Sequence, residues 1–257
     1  MTNENRVAVV TGGAGGIGAA CARRLAADGF DIGIIDVKPM EQILAELAAI
    51  GRAAKALACD ITDPGIIAAV QGFVRSQFGR CDVLVNNAGF YSFIHFNELT
   101  FETWRRYMSV NLDGAFLMCK ALVPLMQERK WGRIINLASN SFFSNVPGLL
   151  PYISTKGGLI GLTRGLASDL GADGITANAV APGPIGTEQV KSGFLRPDST
   201  LDEAAFAGFQ NMIVGTQALK RFGAPAEVAD VVAFFASEQS RFITGQTLMI
   251  DGGVVRL

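Results

Sequence analysis

The 257-residue sequence contains a single histidine, His95, and four widely spaced cysteines, Cys21, Cys59, Cys81 and Cys119, with no CxxC pair among them. One histidine and scattered thiols supply no ligand set for zinc, so no metal centre is expected. Isolated thiols of this kind suit small buried side chains kept reduced, as in a cytoplasmic protein. Charge of one sign is missing too: 22 Lys and Arg against 23 Asp and Glu leave a formal net charge of -1. No overall basic field exists to hold nucleic acid or an anionic membrane surface, and a small-molecule ligand fits better. The start, MTNENRVAVVTGG, is polar and runs straight into a strand, without the basic stretch and apolar run of a secretory signal. No apolar run is expected to reach membrane-spanning length. Repeats, low-complexity tracts and Pro/Ser linkers are absent as well, so a single domain over 1–257 is expected.

What is present is apolar and periodic. Hydrophobic residues make up 49% of the chain, enough to bury one large core. Short β-branched runs bounded by turn residues alternate with longer helical patterns, the mark of successive βαβ units. Strands are expected at 7–11, 31–36, 53–59, 82–86, 132–138, 175–180 and 246–250, with helices such as 16–29, 63–78, 100–129 and 151–172. The strands are continuously apolar (VAVV, IGII, VLV, RIINLA), which predicts helices on both faces of a parallel sheet. The least patterned stretch, from Gly183 to about Gly223, follows a strand end, where ligands of open α/β sheets sit; a lid is expected at about 187–215.

After the first strand comes Thr11-Gly12-Gly13-Ala14-Gly15-Gly16-Ile17-Gly18, opening a helix of small residues. Glycines at this turn let backbone amides approach a pyrophosphate at the positive end of a helix. Gly12, Gly15, Gly16, Ile17 and Gly18 are therefore candidate dinucleotide contacts. Asp36 ends the second strand, where a carboxylate accepts from ribose hydroxyls and repels a 2′-phosphate, so NAD is favoured over NADP. Together these features predict an α/β, single-domain Rossmann fold with a seven-stranded, parallel, doubly wound sheet.

Tyr152 and Lys156, spaced i,i+4 on a predicted helix, project from one face. A neighbouring ammonium is expected to lower the tyrosine pKa and make it usable as an acid or base near neutrality. Ser139 stands thirteen residues before Tyr152, at the end of the strand Arg133–Ala138. Asn86-Asn87-Ala88-Gly89 ends the strand before that.

These elements, with Asp60-Ile61, Asn111 and Pro182-Gly183 followed by Thr187, stand in an order that resembles the short-chain dehydrogenase/reductase family over essentially the whole chain. The resemblance implies oxidation of an alcohol or reduction of a ketone. Tyr152 would be the general acid/base, Lys156 the residue that binds the nicotinamide ribose and tunes Tyr152, Ser139 the hydroxyl that holds the carbonyl oxygen, and Asn111 the anchor of a water relay. Asp60 and Ile61 would contact adenine. Asn86, Ala88 and Gly89 would cradle the cofactor from a strand end, Pro182 and Gly183 would also bind it, and Ile185 and Thr187 would contact its carboxamide. Tyr152 and Lys156 would touch the cofactor as well. A dinucleotide-binding sensor without chemistry is the reading of another class; such a protein would be expected to lose Tyr or Lys from the pair.

Around the expected substrate the residues are apolar. Ser141, Phe142, Phe143, Leu149 and Phe93 are the candidate pocket residues, suited to a hydrophobic or aromatic carbonyl compound. His95 is read as structural or solvent-facing. Within the family the chain resembles secondary-alcohol dehydrogenases of the 1-phenylethanol type, and also pyridoxal 4-dehydrogenase; a sugar or polyol substrate is a further alternative. Resemblance to 3-oxoacyl-carrier-protein reductases is opposed by Asp36 and by the acidic stretch 168–173. The resemblance also implies a homotetramer, with the segment from Phe242 to Leu257 in a subunit contact.

Overall fold

The computed structural model describes residues 5–144, 146–196 and 198–256. Met1–Glu4 of the polar start, Pro197 of the expected lid and Leu257 of the expected tail contact lie outside the described residues. The elements are β1 (Val7–Thr11), α1 (Gly16–Ala27), β2 (Asp31–Asp36), α2 (Glu41–Ala49), β3 (Ala54–Ala58), α3 (Ile66–Phe78), β4 (Val83–Asn86), α4 (Phe101–Met108), α5 (Gly114–Gln127), β5 (Gly132–Leu137), α6 (Leu150–Leu170), β6 (Ile175–Pro182), α7 (Glu188–Ser192), α8 (Glu203–Thr216), α9 (Pro225–Ala236) and β7 (Thr247–Ile250).

All seven strands pair in parallel in the order β3-β2-β1-β4-β5-β6-β7, the fold class that the sequence predicts. Alternation of side chains divides the core between the two faces. Ala8 and Val10 of β1 join Ile32 and Ile34 of β2 under α1 and α9, while Val9, Ile35, Leu84 and Ile134 lie under α3 and α5. Fully buried side chains such as Leu25, Ile34 and Leu122 each contribute about 1.5–3 kcal/mol. The order of strands reverses at β1, which neighbours both β2 and β4. A crevice therefore opens beyond the carboxyl ends of β1 and β4, where such sheets bind ligands.

Several boundaries differ from the expectation, each for a local reason. The helix expected from 63 starts at Ile66, because the Asp63 carboxylate accepts from Gly65 N at 2.8 Å and holds a turn there. The helix expected to reach 29 stops at Ala27, and Gly29 leaves it with φ +98°. Strand β6 runs on to Pro182, pairing with β5 and with β7 up to Pro182–Ile250. The stretch read as one helix over 100–129 is α4, a π-helical turn at Ser109–Asp113, and α5. Taken together, Phe101–Gln127 is 27 residues long with a mean hydropathy of 1.3 in its most apolar part, long and apolar enough by composition to cross a membrane. That corrects the expectation about apolar length. Here the stretch lies against α3, α6, β4 and β5, and α5 alone buries nine residues from Gly114 to Met126.

Candidate active site

The glycine loop at the end of β1 is shaped by close approaches. Gly12 has φ +63°, and a Cβ on it would stand 2.9 Å from Ala88 Cα. A Cβ on Gly18 would meet the Gly12 carbonyl oxygen at 2.1 Å, so α1 packs on the loop only without one. Gly15 is different: a Cβ there meets nothing within 4 Å, and Gly16 borders only the Thr187 methyl at 3.8 Å. This open side lies at the start of α1, whose N-cap Gly15 offers no side-chain cap and whose first turn carries no acid. Its first N–H groups have no partner within the helix and point where an anion would sit.

Asn87 fixes the loop from the neighbouring strand end. Its Nδ2 donates to Thr11 O at 3.0 Å and to Gly12 O at 2.9 Å, while Asn87 N and Ala88 N donate to Thr11 Oγ1. Asp36 reaches the loop from β2, accepting from Ala14 N at 2.9 Å with one oxygen and from Lys38 N at 3.0 Å with the other. An open glycine cradle, the N-terminus of α1 and a carboxylate at the end of β2 suit a dinucleotide.

Asn86 is placed otherwise. Its amide nitrogen donates to Asn136 Oδ1 at 2.9 Å inside the sheet, and its Oδ1 is buried without a hydrogen-bond partner. Asp60 closes a turn by accepting from Thr62 N, and Ile61 is buried against Gly114. Gly183 passes so close to Asp251 that a Cβ would stand 2.5 Å from the aspartate Cβ. Ile185 is buried and bridges to Gly223, and Thr187 caps α7 by accepting from Val190 N.

Beyond the ends of β4 and β5 the four candidate catalytic side chains come together. Tyr152 and Lys156 lie in α6 with the Lys156 Nζ 5.4 Å from the Tyr152 ring centroid. Ser139, at the end of β5, stands beside the Tyr152 phenol and eases its ionisation. Asn111 projects from the π-helical turn; its Oδ1 accepts from Phe90 N at 3.0 Å and its Nδ2 donates to Phe90 O at 2.9 Å and to Thr155 Oγ1 at 3.4 Å. Gly89 touches both neighbours, since a Cβ on it would lie 3.1 Å from Asn111 Oδ1 and 3.7 Å from Lys156 Nζ. The extra residue of a π turn is a recurrent way of aiming a functional side chain. Sequence periodicity gave no sign of it.

The electrostatics of the pair correct the expectation for Tyr152. Burial pushes its phenol up to about 12, opposed by the Ser139 hydrogen bond and reinforced by Tyr91 and Tyr107. Lys156 is itself buried, donates to Leu137 O at 2.6 Å and is pulled down to about 8 by desolvation. Shared burial outweighs the attraction that i,i+4 spacing suggested.

The walls are aromatic. Tyr91 and Tyr152 have ring centroids 5.5 Å apart, and Phe93 meets Tyr91 edge-on at 6.4 Å. Ile94 N donates to Gly148 O, joining the loop after β4 to the segment before α6. Phe142 lies over Gly157 and remains 44% exposed, whereas Phe143 packs against Ala138, Ile160 and Ala181. Leu149 and Ser141 are buried, and His95 is exposed. In the expected lid, Phe194 contacts Phe206 and Phe209. A shallow cleft of about 460 Å³ at the other end of β6, lined by Ile175, Thr176, Phe242 and Thr244 among others, holds no group that exchanges a proton near neutrality. The Ser139–Tyr152 end, by contrast, gathers a hydroxyl, a phenol and an ammonium. Among the described residues no three His, Cys, Asp or Glu side chains gather for a metal.

Comparison with known proteins agrees with this geometry. The family model described as enoyl-(acyl carrier protein) reductase matches residues 12–255. The chain is 37% identical over 258 residues to the (2S)-[(R)-hydroxy(phenyl)methyl]succinyl-CoA dehydrogenase subunit of Thauera aromatica, covering 98% of each. It is 34% identical to the 3-oxoacyl-[acyl-carrier-protein] reductase of Escherichia coli (strain K12), covering 99% of each. The crystal structure of acetoin dehydrogenase from Salmonella typhimurium superposes with a TM-score of 0.83 at 33% identity, covering 97% of each chain.

Proposed function

The chain belongs to the short-chain dehydrogenase/reductase family and is an oxidoreductase of the alcohol–carbonyl pair; within that class we propose that it uses NAD(H) and that its substrate is a hydrophobic or aromatic secondary alcohol, or the matching ketone. The observation that carries the reading is the gathering of Ser139 beside the Tyr152 phenol with Lys156 Nζ 5.4 Å from the same ring.

When bound, the nicotinamide supplies or accepts the hydride; the protein's part is to bind, orient and move a proton. The amides at the start of α1 would hold the pyrophosphate, Asp36 the adenosine ribose, and Lys156 the second ribose. Ser139 and Tyr152 would grip the substrate oxygen, giving a preplaced donor to an oxygen that gains negative charge during reduction. Tyr152 Oη passes its proton to that oxygen, or takes it back during oxidation. Tyr91, Phe93 and Phe142 would form the apolar wall. The Thauera relative is named for a hydroxy(phenyl)methyl compound, which supports an aromatic substrate.

The same reading carries three further proposals. NAD is preferred because the Asp36 carboxylate would repel a 2′-phosphate. Cytoplasmic residence is supported by the four free cysteines, three of them buried. Self-association as a homotetramer, without nucleic acid or membrane, is supported by the fully exposed Phe242 and the 43% exposed Leu248 of edge strand β7.

A screen of NAD⁺ reduction over aromatic secondary alcohols, polyols, hydroxy acids and pyridoxal tests the reading. Turnover is expected with 1-phenylethanol or a close relative; turnover confined to polyols would reject the aromatic assignment, and silence across the panel would reject the substrate class. Light scattering tests the assembly, and a monomer mass with full activity would exclude the tetramer.

A further inference from the structure

Ser139 Oγ carries one hydrogen and two lone pairs. Both acceptor positions are filled by one neighbour: Ser141 N donates at 3.2 Å and Ser141 Oγ donates at 2.9 Å. The remaining hydrogen of Ser139 has to leave as a donor, and Tyr152 is the partner it faces. We propose that Ser141 is a positioning residue of the active site, which by occupying the acceptor sites of Ser139 compels that serine to act as a donor, its single hydrogen going to the Tyr152 oxygen or, in its place, to the substrate oxygen. The proposal rests on the dehydrogenase reading above.

The direction of the bond matters. A hydroxyl that donates to Tyr152 Oη favours the phenolate, the form that takes a proton during oxidation, whereas one free to accept favours the neutral phenol. Removing the Ser141 hydroxyl opens a lone pair on Ser139 to which the Tyr152 O–H turns. The backbone bond from Ser141 N survives that change, so Ser139, extended at φ -162° and ψ 147°, still caps the short turn Asn140–Phe142. Ser141 is 5% exposed, about as buried as Ser139 itself.

The test compares Ser141→Ala and Ser141→Thr with the unmutated protein in two ways. The first is the pH profile of 1-phenylethanol oxidation with saturating NAD⁺. In Ser141→Ala its rising limb is expected to move up by roughly half to one pH unit, the worth of one net hydrogen bond, lowering kcat about three- to tenfold below that limb while the KM for NAD⁺ holds. Ser141→Thr, which keeps the hydroxyl, is expected to restore the profile. The second is the ring ¹³Cζ resonance of Tyr152 in labelled protein with NAD⁺, assigned by its loss in Tyr152→Phe; it needs no turnover and is expected to titrate later in Ser141→Ala only. Superimposable profiles and resonances would overturn the proposal, as would a threonine variant that behaves like alanine. Full activity in Tyr152→Phe would instead overturn the catalytic reading, and the resonance would still decide the role of Ser141.

Discussion

The Oδ2 atom of Asp36 accepts a hydrogen bond from the amide of Ala14 at 2.9 Å, so the carboxylate proposed to hold the ribose also braces the glycine loop. Asp36→Ala removes a strut of the loop and, on the proposed reading, a ribose acceptor and a charge that repels a 2′-phosphate. NAD⁺ affinity is expected to fall about tenfold or more, in line with the loss of a charged hydrogen bond, while discrimination against NADP⁺ relaxes. Dissociation constants for both dinucleotides check this. An unmutated protein with equal affinity for the two would reject the assigned role.

Two glycines of the same loop are expected to respond in opposite ways to one methyl group. In Gly18→Ala the Cβ would stand 2.1 Å from the Gly12 carbonyl oxygen, and overpacking of this severity costs about 1–3 kcal/mol or more. In Gly15→Ala it meets nothing within 4 Å, so thermal stability is expected to hold while dinucleotide binding weakens because the cradle is filled. Melting curves paired with NAD⁺ titrations separate the two. A Gly15→Ala protein that binds normally would move the pyrophosphate elsewhere.

Tyr152→Phe is expected to lower turnover on the order of 10²–10⁴-fold and to leave NAD⁺ binding intact, because only the proton-carrying oxygen is lost. Single-turnover rates and cofactor titration provide the readout. Loss of binding in step with activity would make Tyr152 a cofactor anchor rather than the acid.

Lys156 gives a dependence of stability on pH whose sign is fixed by its burial. Its pKa is about 8 in the folded chain against 10.5 unperturbed. Below pH 8 both states hold the proton, and the folded state bears the whole cost of a buried charge. Between pH 8 and 10.5 the unfolded chain binds a proton that the folded one has released, so stability climbs. Lys156→Met is thus expected to gain up to about 3 kcal/mol at neutral pH, less the bond to Leu137 O, and to lose that advantage as pH rises through this window. Urea denaturation at the two ends of the window measures it. A constant difference would mean that the ammonium stays charged in the native protein.

Where one dimension of periodicity suffices, sequence and structure agree: β1 and β2 end where the apolar runs VAVVT and DIGIID end, and the glycine loop stands between a strand and a helix as spacing predicts. Disagreement begins where the deciding partner is distant in the chain. Asn111 bonds the main chain of Phe90, 21 residues earlier, and Asn86 pairs with Asn136, 50 residues later. The Tyr152 phenol was expected to fall beside Lys156 because i,i+4 spacing shows proximity; it rises because spacing carries no information about how deeply α6 sinks against β5. Asn87, the staple of the glycine loop, has no role legible in the sequence, since two carbonyl acceptors across a sheet leave no local pattern.

The π-helical turn at Ser109–Asp113 sets the angular phase between α4 and α5. Each residue advances a plain α-helix by about 100°, so the same extra residue without the π turn would swing one half of the rod against the other. Tyr107, whose hydroxyl receives the amide hydrogen of Ser92 at 2.7 Å, would lose its partner while α5 stayed packed on the sheet. The surplus residue thus works as a mechanical offset.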